Sequence, residues 1–298
     1  MAPADAADHR SVSDRIVIVG YDGQPQAADA LALGALLARS TDSRLLIAHA
    51  HNVGETTSFG RALFDASRQV PYGVRVETRA VAHDTPAAAL ATLADEEHAD
   101  VVVVGSSHRG SLGRALLGSV GEQLLRQLPC SLAVAPRDFA GSVDGPIETI
   151  GVAFDGREES LRALDQAAAL AGVLGARLRL IAVIERPQID ESAPFAPNSL
   201  EELTAQRREE LERALMEAAA SIPPEVPVDT ELLSGPPTAV ISERCREDVD
   251  LLVAGSHAYG PLRRVFLGSV STQLMRSCPC PLYVVPRGAT QPSARAAA

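Results

Sequence analysis

Arg15-Ile16-Val17-Ile18-Val19-Gly20-Tyr21-Asp22-Gly23 is an apolar run that stops at Asp-Gly, and Thr149-Ile150-Gly151-Val152-Ala153-Phe154-Asp155-Gly156 repeats it 133 residues later. A short apolar run closed by a turn pair reads as a buried strand. Working outward, Asp100–Ser106 (DVVVVGS) recurs as Asp250–Ser256 (DLLVAGS), at an interval of 150. Leu117-Gly118-Ser119-Val120 recurs as Leu267-Gly268-Ser269-Val270 at the same interval, and Pro129-Cys130 and Pro136-Arg137 recur as Pro279-Cys280 and Pro286-Arg287. One unit is written twice in this chain. The second copy carries about 17 extra residues between its second strand and Gly255, placed by the pattern within Arg186–Glu209.

Each copy alternates apolar runs with segments of helical period. In the first, the pattern predicts strands at 15–20, 44–50, 74–81, 100–104 and 131–135, and helices at about 25–39, 58–69, 86–98 and 113–127. Ala28, Leu31, Ala35 and Ala38 recur at helical spacing, as do Leu161, Leu164, Ala168 and Ala171 in the second copy. Val101–Val104 is apolar throughout, as a central strand covered on both faces requires. Strict strand–helix alternation implies right-handed crossovers and an open parallel sheet. The predicted fold is therefore α/β: two tandem doubly wound, Rossmann-like domains, each with a five-stranded parallel sheet flanked by helices. Domain 1 spans 15–138 and domain 2 spans 148–288, with a linker at 139–147 and tails at 1–14 and 289–298. In the inserted segment Ser199-Leu200-Glu201-Glu202 reads as a capping box that opens a long helix.

Composition narrows the function. Hydrophobic residues make up 46% of the 298, aromatics only 3%, and tryptophan is absent, so the cores must be aliphatic. A net charge of -11 with scattered arginines repels a phosphate backbone and argues against nucleic-acid binding. Met1–Asp14 has no apolar stretch of signal-peptide type, and no run approaches a membrane span. A cytoplasmic location is expected, with no membrane partner. Cys130, Cys245, Cys278 and Cys280 form no spaced disulfide framework. Cys278-Pro279-Cys280 has no second Cys/His pair in sequence and reads as the lead-in to a strand.

Doubly wound sheets bind ligands beyond the carboxyl ends of their strands, where strand order reverses. Asp22 and Asp155 end the first strands there. Gly105-Ser106-Ser107-His108-Arg109-Gly110 and Gly255-Ser256-His257-Ala258-Tyr259-Gly260 follow the fourth strands. Gly118-Ser119 and Gly268-Ser269 stand at predicted helix starts, where free amides favour a phosphate. Each feature also has a plain structural reading: Asp-Gly is a turn, and Ser119-Val120-Gly121-Glu122 is a capping box. Recurrence of the whole set, in order, favours a site. His49 and His51 share one face of a strand, but their counterparts are Ala182 and Ile184, so a metal role is not expected.

The set resembles the universal stress proteins, whose pattern is an Asp after the first strand and Gly-x2-Gly-x9-Gly-[Ser/Thr] after the fourth. The resemblance covers nearly the whole chain, twice. It implies an adenine-nucleotide-hydrolase-like fold and ATP, with or without Mg²⁺, as ligand. By that resemblance Asp22 and Asp155 face the ribose or adenine, while Gly105, Gly118, Gly255 and Gly268 make room for phosphates. Ser119-Val120 and Ser269-Val270-Ser271 would hold them. The middle glycine is replaced by His108 in one copy and Ala258 in the other; a side chain there crowds the phosphates, or His108 and Arg109 supply a positive contact. Ser271 offers a hydroxyl that Gly121 lacks, so the second site is expected to be the better one. Family members pair through their last strands, which predicts an intrachain pseudo-dimer through Leu132–Ala135 and Leu282–Val285. A homodimer of whole chains and further protein partners stay open.

No Walker A loop, no Gly-x-Gly-x-x-Gly after the first strand, no Ser-Gly-Gly-x-Asp-Ser loop and no Gly-x-Ser-x-Gly elbow is present. The expected function is a stress-response nucleotide sensor with at most slow hydrolysis. The alternative is a family member that binds no nucleotide and serves as an interaction module.

Overall fold

The computed structural model describes residues 15–51, 59–106, 119–142, 145–185, 197–256 and 269–286. The first half contains β1 (Ile16–Gly20), α1 (Pro25–Ser40), β2 (Arg44–His51), α2 (Gly60–Ser67), β3 (Arg75–Ala82), α3 (Pro86–Glu96), β4 (Val101–Gly105), α4 (Ser119–Gln127) and β5 (Ser131–Ala135). The second contains β6 (Thr149–Ala153), α5 (Glu158–Leu174), β7 (Arg177–Ile184), α6 (Pro197–Ala220), β8 (Val228–Ser234), α7 (Pro237–Glu247), β9 (Leu251–Gly255), α8 (Ser269–Ser277) and β10 (Leu282–Val285).

Helix starts follow local chemistry. Proline opens α1, α3 and α7, where its fixed φ suits the first turn and its missing N–H is no loss. The Thr85 hydroxyl accepts the Ala88 amide at 3.2 Å and caps α3. α6 differs from expectation: it begins at Pro197, so Ser199 lies inside the first turn rather than capping it. Helix α6 has 24 residues against 8 in α2, and most of the insertion is absorbed there. The expected start of α4 at 113 lies outside the described residues.

Strand order is β3-β2-β1-β4-β5-β10-β9-β6-β7-β8. Within each half all neighbours are parallel, and the order reverses between β1 and β4 and between β6 and β9. At the centre β10 pairs antiparallel with β5, Tyr283 facing Ala133 and Val284 facing Leu132. Unpaired, each of these strands would be an apolar edge. Here Leu132, Val134, Leu282 and Val284 are buried.

The period of two in each strand divides the core between two faces. Val17, Val19, Val101 and Val103 join one cluster with α1 and α5, whereas Ile16, Ile18, Val102 and Val104 join the other with α3, α4, α7 and α8. Both clusters contain residues from both halves, so each core layer runs unbroken across the β5–β10 seam. The outer strands are guarded by charge: Arg44 and Arg79 meet Glu97 at 2.6 and 2.5 Å, and Arg244 meets Glu231 at 2.5 Å. The linker is tied down too. Buried Asp29 of α1 accepts the amides of Asp138 and Ala140 at 3.2 and 2.9 Å, and Ile147 is buried.

Candidate functional site

The carboxyl ends of β1 and β4, and of β6 and β9, form two equivalent mouths at the reversal points. Asp22 and Asp155 each accept the amide two residues on, Gln24 and Arg157, at 3.0 Å. The following glycines sit at φ 80° and 78°, a conformation other residues rarely adopt. Both aspartates are therefore turn formers. Each uses one carboxylate oxygen in its turn, which leaves the second for other contacts; that of Asp155 lies 3.7 Å from the Arg157 guanidinium.

Gly105 and Gly255 end the fourth strands for a reason internal to the chain. A Cβ on Gly105 would lie 2.0 Å from the Gln26 carbonyl oxygen, and one on Gly255 2.3 Å from that of Glu159. The first turns of α1 and α5 thus occupy the space that a larger residue would fill. Ser106 and Ser256 come next. Their amides bond to the carbonyls of Ala135 and Val285 at 3.0 Å, which fixes the backbone where β4 and β9 end. Among the described residues, their hydroxyls are buried without a hydrogen-bond partner in either half. Ser119 and Ser269 open α4 and α8, Val120 and Val270 pack against the core, and the Ser271 hydroxyl donates to the Gly255 carbonyl at 3.1 Å. His108, Arg109, Gly118, Ala258 and Gly268 lie outside the described residues.

The two mouths differ in chemistry. In the first, a ring nitrogen of His49 bonds to the Tyr21 carbonyl at 2.8 Å and so carries a proton. Phe59 stacks on His49 and His51 with centroids 4.1 and 5.0 Å apart. Among the described residues no third metal-type ligand joins the two histidines. In the second, the inserted helix α6 packs over the Asp155-Gly156 turn: Ala214 sits against Gly156, and Arg207 donates to the Asp155 carbonyl at 3.2 Å. Arg208 reaches Ser234 at the end of β8. Sequence reading missed Phe59, Arg207 and Arg208 as mouth residues; the adjacent arginines inside an insertion were the available signal. A cleft of about 590 Å³ lies elsewhere, on the outer face of α1 beside Arg39, Gln69 and Pro71. Its lining includes Ala28, Ala32 and Ala35 and none of the strand-end groups.

Comparison with known proteins agrees with this geometry. The sequence profile of the universal stress protein family matches residues 15–136 and again 146–286. This chain belongs to the universal stress protein family. A universal stress protein of Mycobacterium tuberculosis is 29% identical, the match covering 90% of this chain and 96% of that one. One of Thermus aquaticus is 34% identical over 141 residues, covering 46% of this chain and 98% of its own length. Among solved structures, a protein of unknown function from Pseudomonas aeruginosa superposes with a TM-score of 0.68 at 19% identity, covering 92% and 93% of the two chains. A universal stress protein from Archaeoglobus fulgidus superposes at 0.63, also at 19% identity, covering 93% and 99%. The tandem universal stress fold is thus established. No helix among the described residues is long and apolar enough to cross a membrane.

Proposed function

We propose that this universal stress protein is a cytoplasmic stress-response sensor that binds an adenine nucleotide, ATP with Mg²⁺, at the strand-end mouths and hydrolyses it slowly at most. The observation that carries the reading is the pair of buried hydroxyls of Ser106 and Ser256, which have no hydrogen-bond partner among the described residues. A buried hydroxyl is almost always hydrogen-bonded. The same condition in both halves, beside the loops that carry the glycine pattern, supports a polar group of a bound ligand at each hydroxyl. Asp22 or Asp155 would hold the nucleoside side through the carboxylate oxygen outside the turn. The Ser119 and Ser269 ends of α4 and α8 would hold phosphates on free amides. In the second mouth Arg157 and Arg207 add positive charge, and the Ser271 hydroxyl can turn from Gly255 toward a phosphate oxygen. The nucleotide supplies the signal: its binding orders one population of conformers over another.

A second reading, a member that works through protein contacts alone, rests on the internal explanations for Gly105, Gly255 and the two aspartates. The readings separate in one comparison. Sensor action with the second mouth dominant predicts that Asp155→Ala weakens ATP binding more than Asp22→Ala. Equal losses, or a greater loss from Asp22→Ala, would contradict that ranking, and wild-type protein blind to ATP would support the contact reading.

A further inference from the structure

The second half holds a group of side chains outside both mouths. Cys245 lies in the last turn of α7, Cys278 directly follows α8, and Cys280 leads into β10. Their three sulfurs lie within 4.8 Å of one another, with 3.5 Å between those of Cys278 and Cys280. All three are free thiols. Cys245 and Cys280 are buried, and Cys278 is half-buried, which gives the cluster one route to solvent. The sequence pairs only Cys278 and Cys280; packing of α7 against α8 brings in the third from 33 residues away.

The fold does not demand sulfur here. Cys245 is the ninth residue of an eleven-residue helix, and the ninth residue of its counterpart α3 is Ala94. Cys278 corresponds to Leu128 and Cys280 to Cys130, at the interval of 150 that relates the two halves. Ala94, Leu128 and Cys130 pack a buried core at that place with a single sulfur. The second copy departs from its twin in two positions, both toward cysteine, and the two new sulfurs converge with the old one.

We propose that Cys245, Cys278 and Cys280 form a three-coordinate thiolate site for a soft monovalent metal ion of the copper(I) type. Sulfurs on one tetrahedral or trigonal metal stand about 4 Å apart for metal–sulfur bonds of about 2.3 Å, which the cluster matches with small shifts. Thiolate donors select soft ions. Among the described residues no fourth Cys, His or carboxylate joins the group, a count that suits copper(I) and leaves zinc one protein ligand short of a closed tetrahedral site. Two helix C-termini, those of α7 and α8, converge on the cluster and favour a cation. Binding releases the thiol protons to solvent and changes no oxidation state.

The test is an anaerobic titration of the reduced full chain with copper(I) held by a chromophoric chelator. The protein should remove one copper(I) per chain from the chelator. Cys245→Ala and Cys278→Leu, which install the residues the first half uses at those places, should each weaken binding at least about tenfold. Cys130→Ala should leave it unchanged. Circular dichroism of each variant checks folding, and its metal-independent spectrum should match wild type. Failure to compete with the chelator, equal binding by the variants, or tighter capture of zinc than of copper(I) would overturn the assignment. So would a Cys278–Cys280 disulfide in protein isolated without reductant, seen as a loss of two hydrogens in mass, with no metal uptake after reduction.

Discussion

A buried hydroxyl without a partner costs about 1–3 kcal/mol in desolvation, and Ser106 and Ser256, at the same position of each half, have none among the described residues. Ligand-free protein should therefore gain about 1 kcal/mol of stability from Ser256→Ala, measured by urea unfolding, while losing ATP affinity at that mouth. A loss of stability without nucleotide would mean that the hydroxyl already has a partner inside the chain. The neighbouring glycines act differently. At Gly105 and Gly255 a methyl group would collide with backbone oxygen of α1 or α5, which cannot turn aside as a flexible side chain can. Reduced nucleotide binding by an alanine variant at either glycine would report that collision and not a phosphate contact.

At the scale of elements, the outer edge of the first half depends on Glu97, which follows α3 and joins Arg44 of β2 to Arg79 of β3. The hydrogen bond from Arg44, supported by Arg79, lowers the Glu97 pKa below its ordinary 4.5. A carboxyl with a depressed folded-state pKa adds stability above its unfolded value, and that stability fades as pH falls through the folded value. Glu97→Gln should thus destabilise the protein by about 1–3 kcal/mol at neutral pH, with the difference from wild type shrinking below about pH 4. A difference independent of pH would assign the effect to packing. Much of this element layout was legible in sequence, because all-apolar runs such as Val101–Val104 and proline-led helices announce themselves locally. What escaped depended on distant chain: Asp29 holding the linker, Cys245 meeting Cys278 and Cys280, and α6 lying over Asp155. The start of α6 escaped for a local reason, since Pro197 and Ser199 are rival start signals two residues apart. For the mouths, Asp22, Asp155, Gly105 and Gly255 were identified from recurrence, but only the packed structure reveals how far the turns and helices α1 and α5 account for them.

On the scale of the whole molecule, the seam decides behaviour. β5 and β10 join the two halves into one sheet, and the aliphatic layers on both faces continue across it. Separate domains joined by a loose linker would unfold independently. This molecule should instead show one calorimetric transition, and Val284→Asp, which buries a charge opposite Leu132, should lower its midpoint and split it in two. Two resolved transitions in the wild type would contradict the continuous core.

The most direct measurement is a calorimetric titration of nucleotide-stripped protein with ATP and Mg²⁺, with AMP and cyclic AMP alongside. Saturable ATP binding, weakened by Asp155→Ala and by Ser256→Ala, is the predicted result. No binding heat and no competition at any temperature tried, from protein shown to be folded, would contradict the sensor account.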